Sequence, residues 1–207
     1  MDRLPRMLIA IGISLWIASP SIAWADCQSV TTVEFVGQVC TDPGRESRRG
    51  EWIVDDGGTV VGTSTITSDA NGSQQMKKYG KLTTPSFVGD LYRDESKDVT
   101  GAQRSSEQLR GRENLTSGGN FVGNTVTYIN SDGSQQMKKY GKLTTPSFVG
   151  DLYRDEFKDA TGAVRSSEQL RGTWIIAPDY KLTGTYIVSV NPDGTMTVTD
   201  NRTRLAP

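Results

Sequence analysis

Apolar and polar residues alternate along most of the chain in short runs, the period-two pattern of strands covered on one side only. Along residues 86–94, one set of alternate positions carries Phe87, Gly89, Leu91 and Arg93, and the other carries Val88, Asp90, Tyr92 and Asp94. Runs 59–67, 73–82, 86–94 and 103–109 all have strand length. Between them stand Asn71-Gly72, Asp132-Gly133 and Asp193-Gly194, hairpin signals because Asn, Asp and Gly tolerate the positive φ of tight turns. Thr100-Gly101, Thr161-Gly162, Pro85 and Pro146 mark further turns. No segment after residue 25 carries the period of a helix, so the pattern predicts an all-β, antiparallel protein.

Extending the alternation to neighbouring strands predicts a core face of Val60, Gly62, Ser64 and Ile66, then Met76, Lys78, Gly80 and Leu82, then Ser105, Glu107 and Leu109. An apolar residue two places before a glycine recurs at Phe35/Gly37, Val60/Gly62, Phe87/Gly89, Phe121/Gly123, Phe148/Gly150 and Leu182/Gly184. Glycine weakens a flat strand but relieves crowding where a sheet bends, so the motif predicts strong curvature.

The 24 residues GSQQMKKYGKLTTPSFVGDLYRDE occur twice, at 72–95 and 133–156. Sliding the chain by 61 positions aligns 72–111 with 133–172, and only Ser96/Phe157, Val99/Ala160 and Gln103/Val164 differ. A second step of 61 brings Gly172-Thr173-Trp174 into register with Gly50-Glu51-Trp52. Residues 49–207 therefore read as one repeated β domain with units at 49–109, 110–170 and a partial 171–207, preceded by an N-terminal segment at 26–48. Without one unit the exported chain would match a small eight-stranded barrel. With it, the expectation is a closed barrel or strongly curved sheet of about 8–12 strands, two linked half-barrels being the alternative.

Residues 1–25 read as a secretory signal peptide. Arg3 and Arg6 precede an apolar run too short to span a bilayer, and Ala23-Trp24-Ala25 supplies the cleavage site. The expectation is a secreted or periplasmic protein without a membrane span after cleavage. In that oxidising setting Cys27 and Cys40, the only cysteines, are expected to form a disulfide, since C-x-x-C spacing and a histidine partner are both missing. Removing Arg3, Arg6 and Asp2 with the leader takes the formal charge from −1 to −2, which gives no electrostatic case for nucleic acid.

The chain contains no histidine, which excludes Ser-His-Asp and Cys-His catalysis and histidine-ligated metals. Asp94-Glu95 and Asp155-Glu156 are adjacent pairs whose side chains point to opposite strand faces, so neither pair converges. The turns lack the spaced carboxylates of a calcium loop. No cofactor is implied. Lys78, Arg93 and Glu107, with Lys139, Arg154 and Glu168, fall on the face expected to be apolar. Three arrangements explain such charges: strand ends in solvent, a self-neutralising cluster, or the wall of a polar cavity that receives an anionic or polyhydroxyl ligand stacked against Trp174. Tyr79 and Tyr140 fall on the other face, where an aromatic and basic surface suits a sugar polymer or a protein. The expected function is a β-barrel module that binds a small molecule, glycan or protein. Alternatives are a barrel enzyme using Glu107 or Glu168 with an arginine, and a structural, envelope-associated repeat protein.

Overall fold

A computed structural model describes residues 26–54 and 57–205; the expected signal peptide lies outside the described residues. Fourteen strands form one antiparallel sheet: β1 (Asp26–Thr31), β2 (Phe35–Asp42), β3 (Arg45–Val54), β4 (Gly58–Ser68), β5 (Gln74–Thr83), β6 (Phe87–Lys97), β7 (Gln103–Asn114), β8 (Asn120–Ile129), β9 (Gln135–Thr145), β10 (Phe148–Lys158), β11 (Val164–Ala177), β12 (Tyr180–Val190), β13 (Met196–Asp200) and β14 (Thr203–Arg204). Each strand pairs with the next in chain order from β1 to β13, and β14 pairs with β12 beyond the end of β13. No ladder joins β1 to β13, so the sheet is open rather than closed into a barrel, and it exceeds the 8–12 strands expected. The extra strands are the two whose patterning is weakest. β1 has Val30 as its one large aliphatic residue, and β14 is two residues long.

The two faces differ as the alternation predicts. Phe35, Val60, Leu91, Phe121, Phe148, Leu152 and Trp174 are buried on one face. Val36, Val61, Tyr79, Val88, Tyr92, Val122, Tyr140 and Tyr153 are exposed on the other. Among the described residues, backbone contacts run between sheet neighbours and no second layer covers the sheet. The inner face is therefore covered by its own large side chains lying across adjacent strands.

Glycines organise that cover. Gly37, Gly50, Gly62 and Gly80 face one another across β2–β5, Gly89, Gly111, Gly123 and Gly141 across β6–β9, and Gly150, Gly172 and Gly184 across β10–β12. Between rows the register steps by two residues, because Gly80 faces Leu91 and Gly141 faces Leu152. A methyl group on Gly111 would collide with the Val88 carbonyl oxygen, lie 2.6 Å from the Gly89 Cα and meet the Phe87 ring at 2.9 Å. Phe35, Phe121 and Phe148 lie in the same way over their own glycine pairs. The bare backbone thus lets strands approach closely, and the ring restores the apolar surface that two missing side chains would have supplied.

One end of the sheet carries five similar turns, at residues 69–73, 98–102, 130–134, 159–163 and 191–195. In each, the first N–H donates to the fifth carbonyl, and the glycine N–H donates back to the first carbonyl. Gly72, Gly101, Gly133, Gly162 and Gly194 have φ between +81° and +93°, and no described non-glycine residue has positive φ. This departs from the expectation that Asn71, Asp132 and Asp193 share the left-handed conformation. They act through their side chains instead, each accepting a backbone N–H two residues on, from Ser73, Ser134 and Thr195. A three-residue loop ending in left-handed glycine needs only one such residue.

Candidate functional site

Antiparallel pairing places Lys78 directly beside Arg93, and Arg93 beside Glu107, on the inner face. Lys139, Arg154 and Glu168 line up identically across β9, β10 and β11. Arg93 contacts Glu95 on its own strand and lies 3.8 Å from Glu107. Arg154 lies 2.7 Å from Glu156 and 3.8 Å from Glu168. These side chains are about two-fifths exposed, so each row is an ion-paired strip open to solvent. Beside the first strip, Ile66, Met76, Glu95 and Ser105 line an open depression of about 300 Å³.

The lysines of the two strips have different partners. Lys139 donates to Glu113 at 2.5 Å and lies over the Phe121 ring at 4.5 Å. In the first unit Trp52 stands at the position that Glu113 holds in the second, and the Lys78 ammonium lies 4.6 Å from its ring centroid. Burial, with Arg93 alongside, lowers the Lys78 pKa from its ordinary 10.5. Glu95, Glu156, Glu113 and Trp52 are thus members of these strips that charge patterning alone left out. The usable signal was the exchange of Trp52 for Glu113 at one repeat position.

Trp174 is not brought to either strip. It is buried against Phe148 at 4.8 Å, under the guanidinium of Arg202. Six residues separate it from Glu168 along β11, about 20 Å of extended strand. Its partners and burial are those of an inner-face packing residue.

The outer face carries the tyrosines. Tyr79 faces Tyr92, and Tyr140 faces Tyr153, in equivalent registers. All four are between 41% and 58% exposed, so the rings cover the strands without being covered themselves. Two residues along the strands, Lys81 pairs with Asp90 at 2.5 Å and Lys142 with Asp151 at 2.6 Å. Arg110 and Arg171 complete these rows on the far side of each aspartate. Asp90 raises the pKa of Lys81, chiefly through their hydrogen bond. Each unit therefore presents two tyrosines, a lysine–aspartate pair and an exposed arginine on one surface.

The Cys27–Cys40 disulfide links β1 to β2. It stands three residues from the pair Val30/Gly37, as Tyr79/Tyr92 stands three from Leu82/Gly89. The covalent bridge and the tyrosine pairs thus occupy the same register. The sequence carries this too: Val30-Thr31-Thr32 and Phe35-Val36-Gly37 match Leu82-Thr83-Thr84 and Phe87-Val88-Gly89 at an offset of 52. A 61-residue slide passes over this match. Thr32 and Thr84 each accept the N–H of the phenylalanine three residues on, confirming the shared turn.

Among the described residues, no group of His, Cys, Asp or Glu is arranged to hold a metal ion, and no helix is long and apolar enough to cross a membrane. The chemistry on offer is surface recognition by aromatic faces, guanidinium groups and paired carboxylates. Compared with protein families, curated proteins and solved structures, the chain matches none.

Proposed function

We propose that this protein is an exported, non-enzymatic binding module whose outer sheet face engages a glycan. The observation that carries the reading is the two exposed cross-strand tyrosine pairs, Tyr79/Tyr92 and Tyr140/Tyr153, in one register on one face. Paired rings on adjacent strands make a flat apolar platform, and their hydroxyls supply hydrogen bonds at its rim, the combination that accepts a sugar ring. The platforms lie four strands apart and two residues out of step, about 20 Å, so one extended chain reaches both and gains affinity by avidity. An open sheet favours such a ligand over a small molecule, which binds best where most of its surface is enclosed. Lys78, Arg93 and Glu107, with their copies, serve in this reading to neutralise the inner face.

Glycan-array binding of the full exported chain tests the proposal. Replacing Tyr79 and Tyr92 with alanine is expected to weaken binding about a hundredfold through lost avidity. Replacing Tyr140 and Tyr153 as well is expected to abolish it. Unchanged array binding by the fourfold variant, with a native circular dichroism spectrum, would exclude the outer face.

A further inference from the structure

We infer that the glycan is acidic, a linear polymer bearing carboxylate groups; this rests on the outer-face reading and assigns its ligand class. Within each unit Lys81 or Lys142 already neutralises the central aspartate. The arginine on the far side of that aspartate, Arg110 or Arg171, is exposed, and among the described residues it has no carboxylate within 4.0 Å. Arg112, beside Val122 on the same face, is likewise exposed and unpaired. The inner-face arginines differ, since Arg93 and Arg154 each bridge two glutamates.

Guanidinium groups are planar and permanently charged, and they take carboxylates through two parallel hydrogen bonds. Here they stand diagonally next to the tyrosine platforms: Arg110 follows Gln108, which faces Tyr92, by two residues, and Arg171 stands in the same relation to Gln169 and Tyr153. A sugar ring on the tyrosines thus has a free guanidinium one row away to receive a ring carboxylate. The repeat of the same arrangement in the second unit matches a ligand with repeating charge. Near the second platform, Lys142, Asp151, Arg171, Thr183 and Thr185 line an open furrow along the glycine row. This gives the polymer a path between strands rather than an isolated point of attachment.

Three polymers separate the possibilities by isothermal calorimetry at low salt: polygalacturonate, dextran and poly-glutamate. Tightest binding is expected for polygalacturonate, with affinity falling as salt is raised. The double variant Arg110→Gln, Arg171→Gln is expected to lose at least tenfold in affinity for polygalacturonate while leaving dextran binding and the circular dichroism spectrum unchanged. Equal binding of poly-glutamate and polygalacturonate would overturn the proposal in favour of charge alone. Dextran bound as tightly as polygalacturonate, with no effect of the arginine variants, would overturn the acidic ligand but keep the tyrosine platform. An arginine effect with none from the tyrosine variants would remove the platform instead. A denatured double variant is met by Arg110→Lys with Arg171→Lys, which keeps the charge and loses the paired geometry, and is expected to bind several-fold more weakly than the unmodified chain.

Discussion

At the scale of single residues, Lys78 and Lys139 show how one identical segment meets two environments. Both lie in QQMKKYG on the inner face, yet one ammonium sits over an indole and the other on a carboxylate. Lys78 is charged at a cost, since its pKa is lowered, and the sign follows: near neutral pH the fold carries the penalty of holding the charged form, relieved only as pH rises towards 10.5. Lys78→Met is therefore expected to leave urea stability unchanged or to raise it slightly. Lys139→Met strands Glu113 and is expected to cost about 1–2 kcal/mol. Equal effects of the two substitutions would show that the Trp52/Glu113 exchange has no energetic consequence. Which charges share the inner face was legible in the alternation, because side-chain direction along a strand depends only on parity. Which lysine meets which partner was not, because that depends on β3 and β7, each placed two strands away by the order of the sheet.

At the scale of elements, the repeated turns are the most legible feature and the best handle on pH dependence. Asp98 and Asp159 each accept the Thr hydroxyl and two N–H groups of their own loop, and the carboxyls of both are lowered from 3.8, chiefly by the hydroxyl bond. Asp193 is lowered by Thr195, and Asp200 to about 2 by Arg202. Depressed carboxyl pKa values contribute stability that is fully present above about pH 4 and is lost as pH falls towards 2. Urea midpoints are expected to decline over that window. The double variant Asp98→Asn, Asp159→Asn, which keeps the accepting oxygen but cannot titrate, is expected to show a shallower decline. The pattern of Asn-Gly, Asp-Gly and Thr-Gly steps predicted the turns themselves. It misassigned the conformation because asparagine and aspartate have two ways to serve a turn, by their own φ or by their side-chain oxygen.

At the scale of the whole molecule, the backbone contacts of each strand run to its sheet neighbours, with Lys78–Trp52 and Lys139–Glu113 reaching one strand further, so the sheet behaves as a nearly one-dimensional stack. Deleting residues 110–170 joins Leu109 to Arg171 within one strand and preserves the glycine register on both sides, since Gly111 and Gly172 hold equivalent places. The shortened chain is expected to fold to ten strands, with a urea m-value about one third lower in proportion to its length. Loss of cooperative unfolding in this variant would show that the second unit is required by the others.

The amino-acid sequence by itself determined the antiparallel strands, their inner and outer faces, the repeat and the disulfide partners, because each follows from local parity, turn chemistry or count. Only the tertiary structure decided that the sheet stays open and that the identical lysines Lys78 and Lys139 meet different partners. Closure and register depend on how twist and glycine spacing accumulate over many strands, and no single segment records that sum.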